Sequence, residues 1–390
     1  MRILHTSDWH IGKRLAGKER LDEQSAVLEE IADICARERV ELVLVAGDVF
    51  DTFMPSAEAE NLFYRAARRI AAGERCVLAV SGNHDDPVRL SAATALSEEL
   101  GIYIYGSVER RPRPFAGAKV SAVEAGPDHI VFENAAGERV FVHVLPYPNE
   151  ARLKEDKNPD ESFQDKMRRW IAAGENENKA GLPSVFLSHL FVAGGQVSEG
   201  EREIDLGGAR AVPLDLLPAC DYVALGHLHK KQRFRGGTVR YSGSIMQYAF
   251  DEAGTQKSVV VFDLDKSGVH DMREVPLCSG KKLVRLESDG VEAAAELLRR
   301  QENCYIELTL HLREPLSSDQ VRALKEANTG LVNLIPDIRG EISGRTVANR
   351  KSRSAGELFS EFYRAQFAEE PGDALKELFL SAVEEAEHEA

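Results

Sequence analysis

Short apolar runs recur along the first 230 or so residues, and each one ends in a cluster of polar residues. Arg2-Ile3-Leu4-His5-Thr6 runs into Ser7-Asp8-Trp9-His10, and Leu42-Val43-Leu44-Val45-Ala46 runs into Gly47-Asp48. Cys76-Val77-Leu78-Ala79-Val80 runs into Ser81-Gly82-Asn83-His84-Asp85. Further on, Ser184-Val185-Phe186-Leu187-Ser188 meets His189, and Asp221-Tyr222-Val223-Ala224-Leu225 meets Gly226-His227-Leu228-His229. Runs this short and continuous read as buried strands, and the glycine and polar residues after them as turns. Between the first three, Leu21, Leu28, Ile31 and Cys35 recur at helical spacing, predicting a helix over residues 22–39. A second helix follows Pro55-Ser56, with Leu62, Phe63, Ala66 and Ile70 inward. The β-α-β order predicts parallel neighbours in a sheet covered on both faces, with ligands collecting outside the strands' carboxyl ends.

From Ile102 to Tyr147 the pattern changes to short alternating strands. His129–Glu133 and Arg139–His143 flank a hairpin turn at residues 134–138, with His129 and His143 as packed or solvated strand residues. Residues 149–181 are polar, with a helix around Phe163–Ile171. Ser258–Asp263 reads as a strand that closes a first domain, residues 1–276. After Pro276, strands at residues 282–287, 305–311 and 331–335 alternate with helices at 291–300 and 317–328. This predicts an α+β module over residues 277–339 that packs on the first domain. Residues 340–354 read as a basic linker carrying Arg345, Arg350, Lys351 and Arg353. Residues 355–390 read as two amphipathic helices split by Pro371-Gly372-Asp373, one lined by Leu358, Phe359, Phe362, Tyr363 and Phe367, the other by Leu375, Leu378, Phe379 and Val383. So many large apolar residues on a tail call for a partner surface.

Composition narrows the class. The chain has 390 residues, 43% hydrophobic and 29% charged, which is ordinary for a globular protein. A net charge of −15 argues against a protein that coats nucleic acid indiscriminately, while leaving room for a local basic channel. The five cysteines are odd in number, well separated and form no CxxC clip, predicting reduced core thiols in a cytoplasmic protein. No apolar run approaches the roughly 18 residues of a membrane span, and the N-terminus enters a strand with no signal peptide.

The strand ends carry the chemistry. Asp8 and His10 are two apart, so in an extended segment they share a face, and His227 and His229 repeat that spacing. Five strand termini together supply Asp8, His10, Asp48, Asn83, His84, His189, His227 and His229. Converging at one edge, these groups call for a cation, and the mix of imidazole, carboxylate and amide oxygen suits divalent manganese, iron or zinc better than calcium. The set exceeds what one ion needs, so two ions sharing a bridging carboxylate fit better. Asp48, the lone carboxylate on the middle strand, is the natural bridge. Two ions about 3.5–4 Å apart clamp a phosphoryl group and activate a water.

Asp-x-His, Gly-Asp, Gly-Asn-His-Asp, a later His and Gly-His-x-His, spanning residues 8–229 in that order, resemble the calcineurin-like metallophosphoesterase superfamily. The longer stretches at residues 3–13, 46–52 and 189–195 resemble the bacterial SbcD nucleases, the nuclease subunits of SbcC–SbcD complexes. The resemblance implies an α/β metallophosphoesterase fold, two mixed sheets flanked by helices, with a small α+β capping domain and C-terminal helices. It implies that Asp8, His10, Asp48 and His229 hold one ion and Asp48, Asn83, His189 and His227 the other. His84 would act on the scissile phosphate or protonate the leaving oxygen, with Asp85 orienting it. It implies a manganese-dependent DNA nuclease, a double-strand exonuclease and single-strand or hairpin endonuclease in repair and recombination. Such a nuclease would act as a homodimer with an SMC-like ATPase, the SbcC-like partner gripped by the tail. Two departures stand out: Asp51 occupies a position where some archaeal relatives carry a functional histidine, and Ile245 follows Ser242-Gly243-Ser244 where proline is common. Lys230, Lys231 and Arg233 beside the histidines, with Arg235, are candidates for DNA phosphates. So are Arg110, Arg111 and Arg113 as a second cluster, and Arg89 and Arg202 by position. The rival readings are a phosphodiesterase for a small nucleotide, which needs neither cap nor tail, and a metal-dead scaffold, against which the intact ligand set argues.

Overall fold

The computed structural model describes residues 1–108, 112–117, 119–149, 161–198 and 211–338, with scattered positions between 359 and 379. In chain order the elements are β1 (Arg2–Thr6), α1 (Leu21–Arg37), β2 (Leu42–Ala46), α2 (Ala57–Ala71), β3 (Cys76–Val80), one-turn α3 (Pro87–Leu90) and α4 (Thr94–Ser97), and β4 (Ile102–Tyr105). They continue with β5 (Val120–Ala125), β6 (His129–Asn134), β7 (Arg139–Leu145), α5 (Phe163–Glu175), β8 (Ser184–His189), β9 (Tyr222–Gly226), β10 (Gln232–Phe234) and β11 (Val239–Tyr241). The last are β12 (Ser258–Asp265), β13 (Gly268–Pro276), β14 (Lys282–Asp289), α6 (Val291–Arg299), β15 (Cys304–Leu312), α7 (Ser318–Ala327) and β16 (Leu331–Ile338).

Two mixed sheets face each other. The first has the order β13-β12-β1-β2-β3-β4, with β1 to β4 parallel and β12 and β13 antiparallel at one side. The second has the order β10-β11-β9-β8-β7-β6-β5, parallel from β7 through β11. Strand alternation explains the layering. In β2, Leu42, Leu44 and Ala46 point into the core between the sheets, together with Ile3, Val142, Leu187 and Phe262. Val43 and Val45 point the other way and pack on α1 and α2 through Leu28, Ile31, Phe63 and Ile70. The outer face of the second sheet is closed by α5, through Met167 and Ile171. Both faces of the parallel strands are therefore dry, which is why these runs are continuously apolar rather than alternating. Buried His5 ties the layers: Nδ1 lies 3.0 Å from Tyr222 Oη and Nε2 3.2 Å from the Leu225 carbonyl oxygen.

The five ligand-bearing strand ends are thus not on one sheet edge. Asp8, Asp48 and Asn83 follow β1, β2 and β3 of the first sheet, whereas His189 and His227 belong to β8 and β9 of the second. They meet because the carboxyl ends of both parallel blocks lie at the same end of the sandwich, where Gly226 abuts the Ala46 carbonyl.

Residues 282–338 form a three-stranded sheet, β14-β15-β16, with α6 and α7 over a separate apolar cluster of Ala294, Leu298, Ile306, Leu308 and Leu324. This module packs on the body through Leu283 and Tyr305 against Leu15 and Phe250. Tyr305 Oη also donates to Glu23 at 2.8 Å. Residues 1–337 form one compact unit and residues 338–390 a second. Within the second, the Phe359 ring stacks on Phe379 with centroids 4.3 Å apart and lies 6.0 Å from Tyr363. Leu358, Phe362, Phe367, Leu378 and the basic linker fall outside the described residues. Among the described residues, no helix is long and apolar enough to cross a membrane.

Candidate metal centre

The loops after β1 and β2 are zipped together: Asp8 N donates to the Gly47 carbonyl at 3.1 Å, His10 N to Asp48 at 2.9 Å and Ile11 N to Val49 at 2.9 Å. That pairing forces an unusual backbone. Asp8 (φ 52°), His10 (φ 43°) and Asp48 (φ 48°) are left-handed, and His227 has φ 107°. The expectation that Asp8 and His10, and likewise His227 and His229, share a face of an extended segment is therefore incorrect. Their side chains converge through strained turns, and non-glycine residues held in such conformations cluster at functional sites.

The third loop is held by Asp85. Its carboxylate accepts from Val49 N (3.1 Å), Phe50 N (2.8 Å) and Gly82 N (2.8 Å). Asp85 therefore locks the β3 loop to the β2 loop. The oxygen that orients the His84 ring is instead the Asp51 carbonyl, 2.7 Å from Nδ1. His84 N donates to Asp48 Oδ1 at 2.9 Å, which leaves Asp48 Oδ2 for other partners.

That oxygen is the hub. Asp48 Oδ2 is 3.5 Å from His10 Nε2 on one side and 3.4 Å from His189 Nε2 on the other. Around His10, the His229 ring brings its Nε2 to 3.0 Å, and Asp8, His10 and His229 present ligand atoms within 4.8 Å of one another. Around His189, Asn83 Oδ1 lies 2.8 Å from Nε2 and 3.1 Å from His227 Nδ1. All seven side chains are buried. The structure thus brings together every residue of the expected ligand set, in two poles with one carboxylate between them, and sets His84 beside His10 with ring centroids 4.8 Å apart.

The electrostatics suit divalent cations. Burial holds His10 and His227 down to about 3, so both are neutral imidazoles near pH 7, the form a metal needs. Burial, with Asp48 adding to it, raises the Asp8 and Asp85 carboxyls to about 6. Burial opposes charge on His189, but Asp48 and Asp8 outweigh it and lift the ring to about 9. Buried carboxylates short of positive charge thus draw a proton onto a neighbouring imidazole, a role that a bound cation fills more fully. The His227 Nε2 and His10 Nδ1 atoms are buried without a hydrogen bond.

Sequence reading did not find Glu252. It is fully buried, 23 residues beyond His229, with Oε1 3.2 Å from His229 Nδ1. It lies in a short 3-10 turn, Phe250–Glu252, where neither strand nor helix periodicity marks it. The candidate DNA contacts are less concentrated. Lys230 pairs with Asp251 at 3.1 Å, Lys231 with Glu274 at 2.7 Å and Arg89 with Glu60 at 2.8 Å, while Arg233 and Arg113 are exposed. Arg235 instead caps the Pro218 and Leu217 carbonyls, each at 3.3 Å. Arg110, Arg111 and Arg202 lie outside the described residues.

The model of the calcineurin-like phosphoesterase family matches residues 1–231. Among curated proteins, the SbcD subunit of the SbcCD nuclease of Bacillus subtilis (strain 168) is 35% identical over 404 aligned positions, covering 100% of this chain and 99% of that protein. The protein of the same name from Rhodobacter capsulatus is 37% identical, covering 76% of this chain and 74% of its own length. The one from Staphylococcus epidermidis is 27% identical, covering 81% of each.

Proposed function

Because the chain belongs to the calcineurin-like phosphoesterase family, and within it to the SbcD nucleases, it is a metal-dependent phosphodiester hydrolase, and we propose that its substrate is DNA and its cations Mn2+. The observation that carries the reading is Asp48 Oδ2, midway between two sets of buried nitrogen and oxygen donors. In this reading Asp8, His10, Asp48 and His229 hold one ion, and Asp48, Asn83, His189 and His227 the other. Donors that mix imidazole with carboxylate and amide oxygen, without thiolate, suit manganese, iron or zinc, and the SbcD resemblance favours manganese among them. When bound, the two cations supply Lewis acidity at the phosphoryl oxygens and lower the pKa of the attacking water. The chain's own residues do the rest. The left-handed turns at Asp8, His10 and Asp48 fix the donors before substrate arrives. Asp85 ties the loops so that the two poles keep their spacing. His84 keeps a proton on Nδ1, donated to the Asp51 carbonyl, so that Nε2 is the atom through which a proton reaches the leaving oxygen.

The end-to-end match to a relative named as part of SbcCD supports an SMC-like ATPase partner, with residues 355–390 as the gripping element. The SbcD resemblance supports a homodimer in the cytoplasm, for which exposed Val88, Leu96 and Leu100, between β3 and β4, offer apolar surface. The test compares the full chain with a chain ending at residue 354, each supplied with Mn2+. Both are expected to cleave linear duplex and hairpin DNA and to run as dimers, but only the full chain is expected to capture the ATPase partner. Hydrolysis of small nucleotide phosphodiesters with no DNA cleavage contradicts the reading. Capture by the shortened chain contradicts the role of the tail.

A further inference from the structure

His229 is held from three directions. At its ring, Nδ1 lies 3.2 Å from Glu252 Oε1. At its backbone, the carbonyl accepts from Lys257 Nζ at 2.8 Å and from Ser244 N at 3.1 Å. Lys257 closes the ring of contacts by pairing with Glu252 Oε2 and donating to Ser244 Oγ at 2.8 Å. Glu252 and Ser244 are fully buried and Lys257 is 9% exposed. Ser244 belongs to the Ser-Gly-Ser stretch for which the sequence offered no function.

A buried carboxylate–ammonium pair is a weak source of stability, since well-packed apolar side chains do as well or better in the same space. A carboxylate does something an apolar residue cannot. It accepts the Nδ1 proton of an imidazole, which fixes the tautomer, directs the Nε2 lone pair outward and makes it more basic. His229 Nε2 is the atom that points at His10. His189, at the other pole, has only a neutral partner for its Nδ1, the Ala46 carbonyl at 2.9 Å. His10 Nδ1 also has a carboxylate nearby, Asp51 at 3.2 Å, itself paired with Lys13 at 2.9 Å, but makes no hydrogen bond to it.

We propose that Glu252, neutralised by Lys257 and anchored through Ser244, is a positioning residue for His229 that sets cation affinity at the pole formed by Asp8, His10 and His229. The inference rests on the two-cation reading above. The test titrates Mn2+ into the metal-free full chain by calorimetry. Wild type binds two ions. Glu252→Gln binds one with wild-type affinity and the other roughly 10–100-fold more weakly. Because that variant strands a buried lysine, the Glu252→Gln/Lys257→Met pair serves as the second variant, with the same loss at the same single site. In a His229→Ala background, Glu252→Gln adds no further loss, because the carboxylate acts through that ring; a residue that merely supported the fold would add its own. Unchanged affinity at both sites in both variants, or an additive loss in the His229→Ala background, overturns the positioning role. A wild-type chain that binds no Mn2+ overturns the two-cation reading and the inference with it, so the two failures are separable.

Discussion

Asp48→Ala is expected to cut Mn2+-dependent DNA cleavage by on the order of 10³-fold or more and to reduce bound Mn2+ below two per chain. The size follows from geometry. Asp48 Oδ2 stands within 3.5 Å of ligand nitrogens at both poles, so one substitution removes a ligand from each. Lewis-acid stabilisation of this kind is worth several kcal/mol, which corresponds to roughly three powers of ten in rate. The substitution also removes the charge that sustains the His189 imidazolium in the metal-free chain, where burial works against it and Asp48 is the largest opposing influence. His189 should then titrate well below its present position of about 9, a shift that NMR of the metal-free variant reads without any assay of activity. Wild-type cleavage and two bound Mn2+ in Asp48→Ala would contradict the shared-carboxylate arrangement.

His84→Gln separates chemistry from binding. The ring is oriented by the Asp51 carbonyl at 2.7 Å, and its backbone N–H donates to Asp48 Oδ1, a contact that glutamine at this position keeps. Glutamine retains a polar side chain and loses only the titrating nitrogen. General acid catalysis contributes about 10²–10⁴-fold, so cleavage of linear duplex should fall by that factor, with Mn2+ affinity unchanged. Retained cleavage with metal bound would remove His84 from the proton path. Loss of one Mn2+ would make it a ligand instead, as its place beside His10 and Asp48 allows geometrically.

How much of this was legible in the sequence depends on which interactions are local. The strands β1, β2, β3, β8 and β9 and the helices α1 and α2 stand where hydrophobic period places them, because both faces of the parallel strands are buried and one face of each helix meets them. Ser56 as helix cap, accepting from Ala59 N, follows the same local logic. The module over residues 282–338 was legible for that reason too. Short β10 and β11 and the exposed β13 were not, since three-residue strands and a strand with mostly half-exposed and exposed positions carry no clear pattern. The ligand residues were visible as a set, whereas their backbone was not. The i, i+2 spacing suggested extended segments, but the cross-loop bonds from Asp8 to Gly47 and His10 to Asp48 impose left-handed turns that only tertiary structure dictates. The resemblance implied that Asp85 orients His84, whereas the Asp85 carboxylate accepts from three backbone N–H groups that only the fold brings together. Glu252 was invisible because nothing in a loop sequence says which carboxylate will lie under a histidine 23 residues away.

The most direct test of the two-cation centre is anomalous diffraction at the manganese edge from crystals of the full chain grown with Mn2+. Two peaks are expected, about 3.5–4 Å apart on either side of Asp48 Oδ2, one among Asp8, His10 and His229 and the other among Asn83, His189 and His227. A single peak, or two peaks that do not share Asp48, would contradict it.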